Sequence, residues 1–376
     1  MKSGKNSRIE QQPVLVACAL HSALGDIDAT WNGLMAGQSA LQPVSFSDIP
    51  NVYPVGRVAD LDGSFGTQER LRSLIRKGLG GIHCLSEIAG RSDIIVATTK
   101  GAADELLNTP DKLNGQPWQL GEMIADITGC PNTPQTVSAA CASGTVALIQ
   151  AGKRIISGAS EVVIVVGIDL LSKFVIAGFD ALKGLSSTPC RPFDRNRDGL
   201  SLGEGIGVIV VASQQFAGEN ELKTLARVSG WGVSCDATHI TAPCRHGSGL
   251  QRVLTLATEN GTIRVGAVNA HGTGTRYNDA MEMTAFRNFW PQTPPIHSIK
   301  GAVGHCLGAA GVIEAALTIH SLRHGCIPPT VGLEQEESLT GKLSGRVPFP
   351  LERPSILSCN SGFGGINAGI LFSAPG

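Results

Sequence analysis

The chain has 376 residues, of which 42% are hydrophobic and 16% charged, with 47 glycines and a formal net charge of −1. This length predicts two domains or one duplicated unit, and the composition is that of a compact enzyme, which excludes a disordered chain. The near-neutral charge argues against a general nucleic-acid binder.

Signals for membrane, secreted and zinc-binding proteins are missing from the sequence. No segment reaches the ~18 apolar residues of a membrane span, and residues 1–12 are polar without a signal-peptide core. The ten cysteines form no CxxC pair and the nine histidines no HExxH motif. We therefore expect a cytoplasmic protein with reduced cysteines, no metal, and no membrane or nucleic-acid partner.

Strands and helices alternate along the first half of the chain. Apolar runs predict strands at 13–19, 93–98, 136–140, 161–171 and 206–212. Apolar residues at helical spacing predict helices at 30–36, 68–90 and 118–128. Residues 44–65 and 186–199 are rich in Pro, Asp and Gly and are expected to be loops.

A second series of elements follows. The predicted strands cover 225–233, 264–270, 295–299, 356–360 and 368–372. The predicted helices cover 249–261, 280–290 and 307–323, and Asp279 with Glu282 fits a capping box at the second of them. The alternation predicts an α/β fold with largely parallel pairing. Because both series place a strand, a small-residue turn and a helix in the same order, we expect a duplicated unit with halves 1–215 and 216–376.

Cys141 stands between the strand at 136–140 and a helix expected to end at Gly158. Unpaired N–H groups and the helix dipole at such a position favour a thiolate over a thiol. The small residues at 139–144 leave room for a substrate to reach the sulfur. Taken alone, this stretch fits a nucleophile or a free cysteine packed as a small hydrophobe.

Three further motifs carry candidate functional groups. Residues 268–275 place His271 after a buried strand, residues 298–311 place His305 at the entry to a helix, and residues 360–367 form a glycine-rich turn. Each also has an ordinary structural explanation, and the turn lacks the pattern of a phosphate-binding loop. Together they supply a cysteine, two histidines and a loop at strand ends, where active sites of α/β sheets gather.

Six motifs in this order resemble those of the β-ketoacyl-ACP synthases of the thiolase superfamily, in particular the elongating (type II) ketosynthases. They are AACASG at 139–144, PFDRNRDG at 192–199, LGEG at 202–205, HGTGT at 271–275, KGAVGH at 300–305 and GFGG at 362–365. The two histidines separate the chain from the initiating synthases, whose site resembles Cys-His-Asn. The resemblance runs from Val14 to Phe372 and implies a thiolase-like, duplicated five-layer α-β-α-β-α fold.

This resemblance implies an acyltransferase (EC 2.3.1 type) of fatty acid, polyketide or polyene synthesis. An acyl chain would pass from the phosphopantetheine of an acyl carrier protein (ACP) to Cys141. Malonyl-ACP would then lose CO2, and its enolate would attack the Cys141 thioester. No cofactor is implied beyond the phosphopantetheine that carries the substrates.

The site residues implied by the resemblance fall into four groups. The catalytic residues would be Cys141, His271 and His305, with the histidines donating to the enolate through Nε2. A supporting pair, Lys300 and Glu314, would orient the histidines. Phe363 would be the gating residue and, with Cys141, an oxyanion donor through its backbone N–H. Substrate contacts would come from Thr273, Thr275, Gly364 and Gly365, whereas Asp279 would be structural.

By resemblance the protein is a dimer, with the strand at 161–171 or its neighbours at the interface. The partner would be a second copy or a ketosynthase-like chain-length factor. Segment 99–136, which helps to form the dimer and the floor of the acyl pocket in the family, is shorter than in typical elongating synthases. The basic residues Arg70, Arg72, Arg76 and Lys77 are candidates for ACP docking or a solvated helix face.

Three alternatives to a condensing enzyme remain open. Within the family, the main one is a chain-length-factor-like subunit without condensing activity, although such subunits usually lack the cysteine. The others are a non-enzymatic acyl or carrier-protein binding module and a biosynthetic thiolase that acts on CoA esters.

Overall fold

The structure is a computed structural model that describes residues 10–46, 49–108, 115–336 and 342–375. The helices are α1 (Ile27–Met35), α2 (Gln68–Gly80), α3 (Leu85–Ile88), α4 (Ala103–Asn108), α5 (Pro117–Thr128), α6 (Ser143–Ile156), α7 (Lys173–Ala181), α8 (Gln214–Glu219), α9 (Ser248–Ala257), α10 (Arg276–Phe289), α11 (Lys300–Val303) and α12 (Ala310–His324). The strands are β1 (Pro13–Ser22), β2 (Gly25–Asp26), β3 (Leu41–Phe46), β4 (Ile49–Gly56), β5 (Asp93–Ala97), β6 (Gln135–Val137), β7 (Val162–Asp169), β8 (Gly205–Ser213), β9 (Ala226–Cys235), β10 (Ala267–Asn269), β11 (Ile296–His297), β12 (Cys326–Ile327), β13 (Phe349–Pro350), β14 (Ser355–Gly362) and β15 (Ile366–Ser373).

One large sheet runs through the molecule in the order β11-β10-β14-β15-β9-β1-β8-β7-β5-β6. Its two halves repeat one topology: in each, the third, second, fourth, fifth and first strands of that half lie side by side. In each half the first two of these pairings are parallel and the next two antiparallel. The expectation of largely parallel pairing is therefore wrong. The short turn between β14 and β15 shows why, since only antiparallel strands can be joined by a hairpin. The boundary at 215/216 stays a prediction.

The layers follow from the apolar clusters on the sheet. Helices α2, α5 and α8 pack on the outer face of the first half, and α9 and α10 pack on the outer face of the second half. Helices α6 and α12 lie between the halves in the central core. Side chains of β7 alternate between these cores, with Val163 and Val165 in the central one and Val162 and Ile164 in the outer one. The result is the five-layer α-β-α-β-α arrangement that the resemblance implied.

Helices α6 and α12 approach each other closely through glycine. A Cβ atom built on Gly144 of α6 would lie 2.8 Å from the backbone nitrogen of Val312. One built on Gly311 of α12 would lie 2.4 Å from the Thr145 hydroxyl oxygen. Neither position therefore admits a larger side chain without movement of a helix, and this contact fixes the two helices that enter the site.

The strand expected at 161–171 is confirmed as β7, and all eight of its residues are buried. Both edges of β7 are occupied, by β5 and β8. This strand therefore has no free edge to offer a dimer partner. Strand β6 lies at the end of the sheet instead.

Three local predictions are wrong. Residues expected to be loop contain the antiparallel hairpin β3–β4. The helix expected over 68–90 stops as α2 at Gly80, where two glycines follow each other, and resumes as α3. Helix α10 begins at Arg276 after Thr275, so Asp279 and Glu282 lie inside it and form no capping box.

A buried ion pair anchors α2 to the sheet. The Arg70 side chain, 2% exposed, pairs with the fully buried Glu204 carboxylate, which also accepts hydrogen bonds from the backbone N–H groups of Val58 and Leu171. Arg70 is therefore unable to dock a carrier protein, whereas Arg72 and Arg76 are exposed. Among the described residues, no helix combines the length and apolar character needed to cross a bilayer.

We predict that Glu204→Gln lowers the free energy of unfolding by about 3–5 kcal/mol, because it leaves the Arg70 charge buried without a counter-ion. Urea denaturation followed by tryptophan fluorescence measures this. The matched control is Glu161→Gln, which breaks the exposed Arg91–Glu161 pair and is expected to cost less than about 1 kcal/mol. Equal effects of the two substitutions would contradict the prediction.

Candidate active site

A tight turn carries Cys141 from β6 into α6. Ala140 takes a left-handed conformation with φ +48°, which is strained for a residue with a Cβ atom. The Ser143 hydroxyl holds the turn, because it donates to the Ala140 carbonyl at 2.6 Å and accepts from the Ala139 N–H at 2.8 Å. Cys141 thus lies two residues before the first residue of α6, as expected.

The protonation of Cys141 differs from the expectation. Burial raises the pKa of its thiol to about 12, and the positive charge of Lys300 opposes this shift only in part. The buried carboxylates of Asp169 and Glu314 add to the rise. Burial, which no local sequence pattern measures, therefore favours the thiol over the expected thiolate in the free protein.

His271 follows β10 in a loop that a buried glutamate holds. The Glu282 carboxylate accepts the backbone N–H of His271 and that of Gly272, each at 2.7 Å. The Asn278 side-chain amide donates to the same carboxylate at 2.9 Å. Burial and the neighbouring Asp279 raise the pKa of Glu282 to about 8. Glu282 thus holds the histidine loop in position. The sequence pattern had predicted only a helix cap for this residue.

Lys300 and Glu314 form a buried ion pair beside His271. Each side chain is 1% exposed. The Lys300 ammonium also donates to the His271 carbonyl oxygen at 2.5 Å, and the Glu314 carboxylate accepts from the Asn360 side-chain amide at 2.7 Å. The pair therefore connects α11 and α12 to the histidine loop and to β14.

His305 lies between α11 and α12, and the 201–203 segment holds its backbone. Its N–H donates to the Ser201 carbonyl at 2.8 Å, and its carbonyl accepts from the Gly203 N–H at 3.0 Å. The rings of His305 and His271 meet edge to face with centroids 5.1 Å apart. Neither His305 ring nitrogen has a hydrogen-bond partner within the described residues.

Both histidines are neutral in the site. Burial holds the pKa of His271 well below its usual range, and the nearby positive charge of Lys300 lowers it further. Burial and Lys300 do the same to His305. A neutral imidazole has one N–H donor and one acceptor, so each ring can present a donor to a developing negative charge.

The Thr273–Thr275 turn is held by Asp279. The Asp279 carboxylate accepts from the N–H groups of Thr273 and Gly274, at 3.1 and 3.2 Å, and from the Phe193 N–H at 2.8 Å. The two threonine hydroxyls lie 2.9 Å apart. These contacts agree with the structural role expected for Asp279.

The glycine-rich turn between β14 and β15 brings Phe363 beside the cysteine. A Cβ atom built on Gly362 would lie 3.0 Å from the Cys141 backbone nitrogen, so the two chain segments touch. Phe363 is 39% exposed, and its ring lies 5.6 Å from that of Phe179. The Gly364 N–H donates to the Ile240 carbonyl at 2.6 Å, which ties the turn to the loop after β9.

A cavity of about 520 Å³ collects the expected residues. It is lined by Cys141, His271, His305, Thr273, Thr275, Phe363 and Gly365, among others. Gly364 is not part of the lining, and Lys300 and Glu314 lie behind the histidines. The lining also includes exposed Lys183 and Arg276, which no sequence motif indicated.

Besides Glu282, sequence reasoning missed Asp169 and Asn360. The Asp169 carboxylate binds the Thr99 N–H at 3.0 Å, the Gly308 N–H at 2.7 Å and the Lys100 ammonium at 3.2 Å. An acidic residue that ends a fully apolar strand was the available signal for Asp169. Asn360 opens the glycine-rich motif, but nothing in the motif indicates its partners.

Two family models match the sequence. The model described as the N-terminal domain of β-ketoacyl synthases matches residues 97–217, and the model of the C-terminal domain matches residues 225–334. Together they match more than half of the chain. They include Cys141 in the first match and both site histidines in the second.

Individual relatives align along nearly the whole chain. The 3-oxoacyl-[acyl-carrier-protein] synthase 2 of Vibrio cholerae is 29% identical, with 96% of this chain and 99% of the relative covered. The solved ishigamide ketosynthase/chain length factor has a TM-score of 0.88 at 25% identity, with 97% of this chain and 99% of that chain covered. A ketosynthase in complex with its chain length factor from Xenorhabdus doucetiae has a TM-score of 0.84 at 26% identity, with 97% and 98% covered.

We predict that iodoacetamide alkylates Cys141 about tenfold faster for each unit of pH between 7 and 10, because the thiolate fraction of a thiol with a raised pKa keeps growing over this range. Cys244 is the internal control, since hydrogen bonding with Ser248 lowers the pKa of its thiol. Cys244 should react faster at pH 7, as peptide mass spectrometry would show. A Cys141 rate that levels off below pH 9 would contradict the raised pKa.

Proposed function

The chain belongs to the β-ketoacyl synthase family, and we propose that Cys141, His271 and His305 carry out its condensation reaction. It is an elongating 3-oxoacyl-ACP synthase, an acyltransferase that joins malonyl-ACP to an acyl chain with loss of CO2. The observation that carries the assignment is that one buried thiol and two buried neutral imidazoles line the same cavity. This set supplies a nucleophile and two donors for an enolate oxygen.

In the first half-reaction Cys141 Sγ attacks the thioester carbonyl of acyl-ACP. The bond from the acyl carbon to the pantetheine sulfur breaks, and the pantetheine thiol leaves with the proton that Cys141 gives up. The backbone N–H groups of Cys141 and Phe363 would receive the tetrahedral oxyanion, and the close approach of Gly362 to the Cys141 nitrogen supports this part of the proposal. Burial disfavours the thiolate but not the neutral thioester, so the same environment favours the acylated enzyme.

In the second half-reaction the malonyl carboxylate leaves as CO2, and its bonding electrons form an enolate. The thioester oxygen of that enolate accepts hydrogen bonds from the ring N–H groups of His271 and His305. The enolate carbon then attacks the acyl carbon on Cys141, the C–S bond breaks, and the released thiolate takes a proton from water to restore the Cys141 thiol. Lys300 and Glu314 support the step by fixing the backbone of His271.

Phe363 is suited to gate the cavity. It lies on a turn with two glycines of positive φ, Gly364 and Gly365, and its side chain is partly exposed beside Phe179. The Thr273 and Thr275 hydroxyls line the same cavity and offer hydrogen bonds to a pantetheine arm. The exposed cations Lys183 and Arg276 in the lining offer contacts to an acidic carrier protein.

The alternative functions have less support. A chain-length-factor-like subunit or a binding module needs no thiol and histidine pair in one cavity, yet all three groups converge here. A thiolase that acts on CoA esters fits less well than a carrier-protein synthase, because the curated relative is a 3-oxoacyl-ACP synthase.

We predict that incubation with acyl-ACP adds an acyl mass to the wild type and none to Cys141→Ala. His271→Ala and His305→Ala should still take up the acyl group, because neither histidine is the nucleophile. Each should decarboxylate malonyl-ACP about 10²–10³-fold more slowly, which is the usual cost of losing one oxyanion donor. Intact-protein mass spectrometry and CO2 release measure the two steps.

Circular dichroism of the three variants controls for folding. Uptake of the acyl mass by a folded Cys141→Ala would exclude Cys141 as the nucleophile. A wild type that takes up no acyl group from any carrier, alone or with a candidate partner chain, would favour the non-condensing alternative.

We further propose that the active protein is a dimer through β6, the last strand of the sheet in the described part of the chain, with a second ketosynthase-like chain as partner. The solved relative from Xenorhabdus doucetiae is a ketosynthase in complex with its chain length factor, which makes a heterodimer the form to test first. A second copy of this chain is the other possibility.

Native mass spectrometry of the chain alone, with its acylation rate, separates the two. A heterodimer predicts a monomer or weak dimer whose acylation rises at least about tenfold when the partner chain is added. A stable, fully active homodimer would contradict the heterodimer. Thr136→Pro places a proline at the middle of β6 and should weaken either dimer, because proline cannot donate to a neighbouring strand.

A further inference from the structure

Asn360 lies at the end of β14, is fully buried and touches three parts of the site. Its side-chain oxygen accepts the hydroxyl of Thr145, which lies in the first turn of α6. Its side-chain nitrogen donates to Glu314 Oε2 at 2.7 Å and lies 3.3 Å from His271 Nδ1. Asn360 thus joins the cysteine helix, the ion pair and one histidine through a single amide.

The partners determine which way the amide faces. A hydroxyl can donate to the amide oxygen, and a carboxylate can only accept from the amide nitrogen. The reversed amide would place its oxygen against the Glu314 carboxylate, where two acceptors would face each other in a buried site. The NH2 group therefore faces both Glu314 and His271.

This orientation has a consequence for the histidine. With an N–H donor opposite it, His271 Nδ1 must be the acceptor, and a neutral ring then carries its proton on Nε2. Burial and Lys300 hold the pKa of His271 well below its usual range, so the ring stays neutral and its tautomer decides whether it can donate. His305 has no such partner among the described residues, since both of its ring nitrogens are unpaired.

We propose that Asn360, oriented by Thr145 and Glu314, is a positioning residue that fixes His271 as the Nε2–H tautomer. The inference rests on the proposed function in one respect: Nε2 is the atom that donates to the enolate oxygen. The opposite tautomer would present a lone pair to that oxygen and repel it. Asn360 itself need not touch the substrate. Acyl transfer to Cys141 does not require this fixing of the His271 tautomer, which we call the lock.

The first test reads the tautomer directly. The probe is protein labelled with ¹⁵N-histidine, and His271→Gln identifies the resonances of His271 by their loss. The wild type should show a protonated Nε2 and an unprotonated Nδ1, and Asn360→Ala should show the Nδ1–H form as well. A protonated Nδ1 in the wild type, or no change in Asn360→Ala, would overturn the proposal.

The second test separates the lock from a merely structural role. Asn360→Ala should slow the decarboxylation of malonyl-ACP about 10²-fold, as for a lost oxyanion donor, and change acylation of Cys141 by less than about threefold. Thr145→Val, which keeps the side-chain shape and removes the hydroxyl, should act in the same direction. Thr145→Ser, which keeps the hydroxyl, should restore most of the rate.

The outcomes distinguish this inference from the function beneath it. Equal losses in the rates of acylation and decarboxylation would overturn the lock. So would an undiminished rate of decarboxylation by folded Asn360→Ala and Thr145→Val. Failure of the wild type to accept an acyl group would count against the proposed function instead, because the tautomer measurement needs no turnover.

Discussion

The ion pair of Lys300 and Glu314 is the interaction on which the rest of the site depends. Each of the two charged side chains is only 1% exposed. Such burial is tolerated only if every remaining donor and acceptor is satisfied. Here the spare contacts go to the His271 carbonyl and to the Asn360 amide. A requirement of burial thereby fixes the histidine loop and the end of β14 in relation to each other.

The same low-polarity surroundings shift pKa values in opposite directions, since they lower those of the two imidazoles and raise that of the thiol. They keep the imidazoles neutral and able to donate a proton in a hydrogen bond. They also keep Cys141 protonated, with its thiol pKa near 12. These surroundings suit the proposed acyl-enzyme, in which the sulfur would carry no charge.

Much of the architecture could be predicted from the sequence because burial on both faces leaves a strong pattern. β7 and β8 are continuous apolar strands, and both were placed within two residues. The hairpin β3–β4 was missed because its prolines, such as Pro50 and Pro54, are typical of loops. A small two-stranded sheet outside the large one nevertheless admits proline.

The cysteine and the two histidines predicted from the motifs line one cavity, but the residues that support them were harder to predict. Glu282 looked like a helix cap because its spacing from Asp279 fits one, and the loop that it holds is visible only in three dimensions. Asn360 meets Thr145 across 215 residues of sequence, a contact that no local pattern encodes. The pKa of Cys141 depends on the packing of the whole fold.

The shared strand order of the two halves has a consequence for how such a site arises. In the first half, the turn before α6, between the third and fourth strands, carries Cys141, and in the second half the segment before α12, also between the third and fourth strands, carries His305. Equivalent positions of the repeated topology thus hold different groups, a thiol in one half and an imidazole in the other. Neither half holds all three groups of the proposed reaction, so that reaction needs both halves.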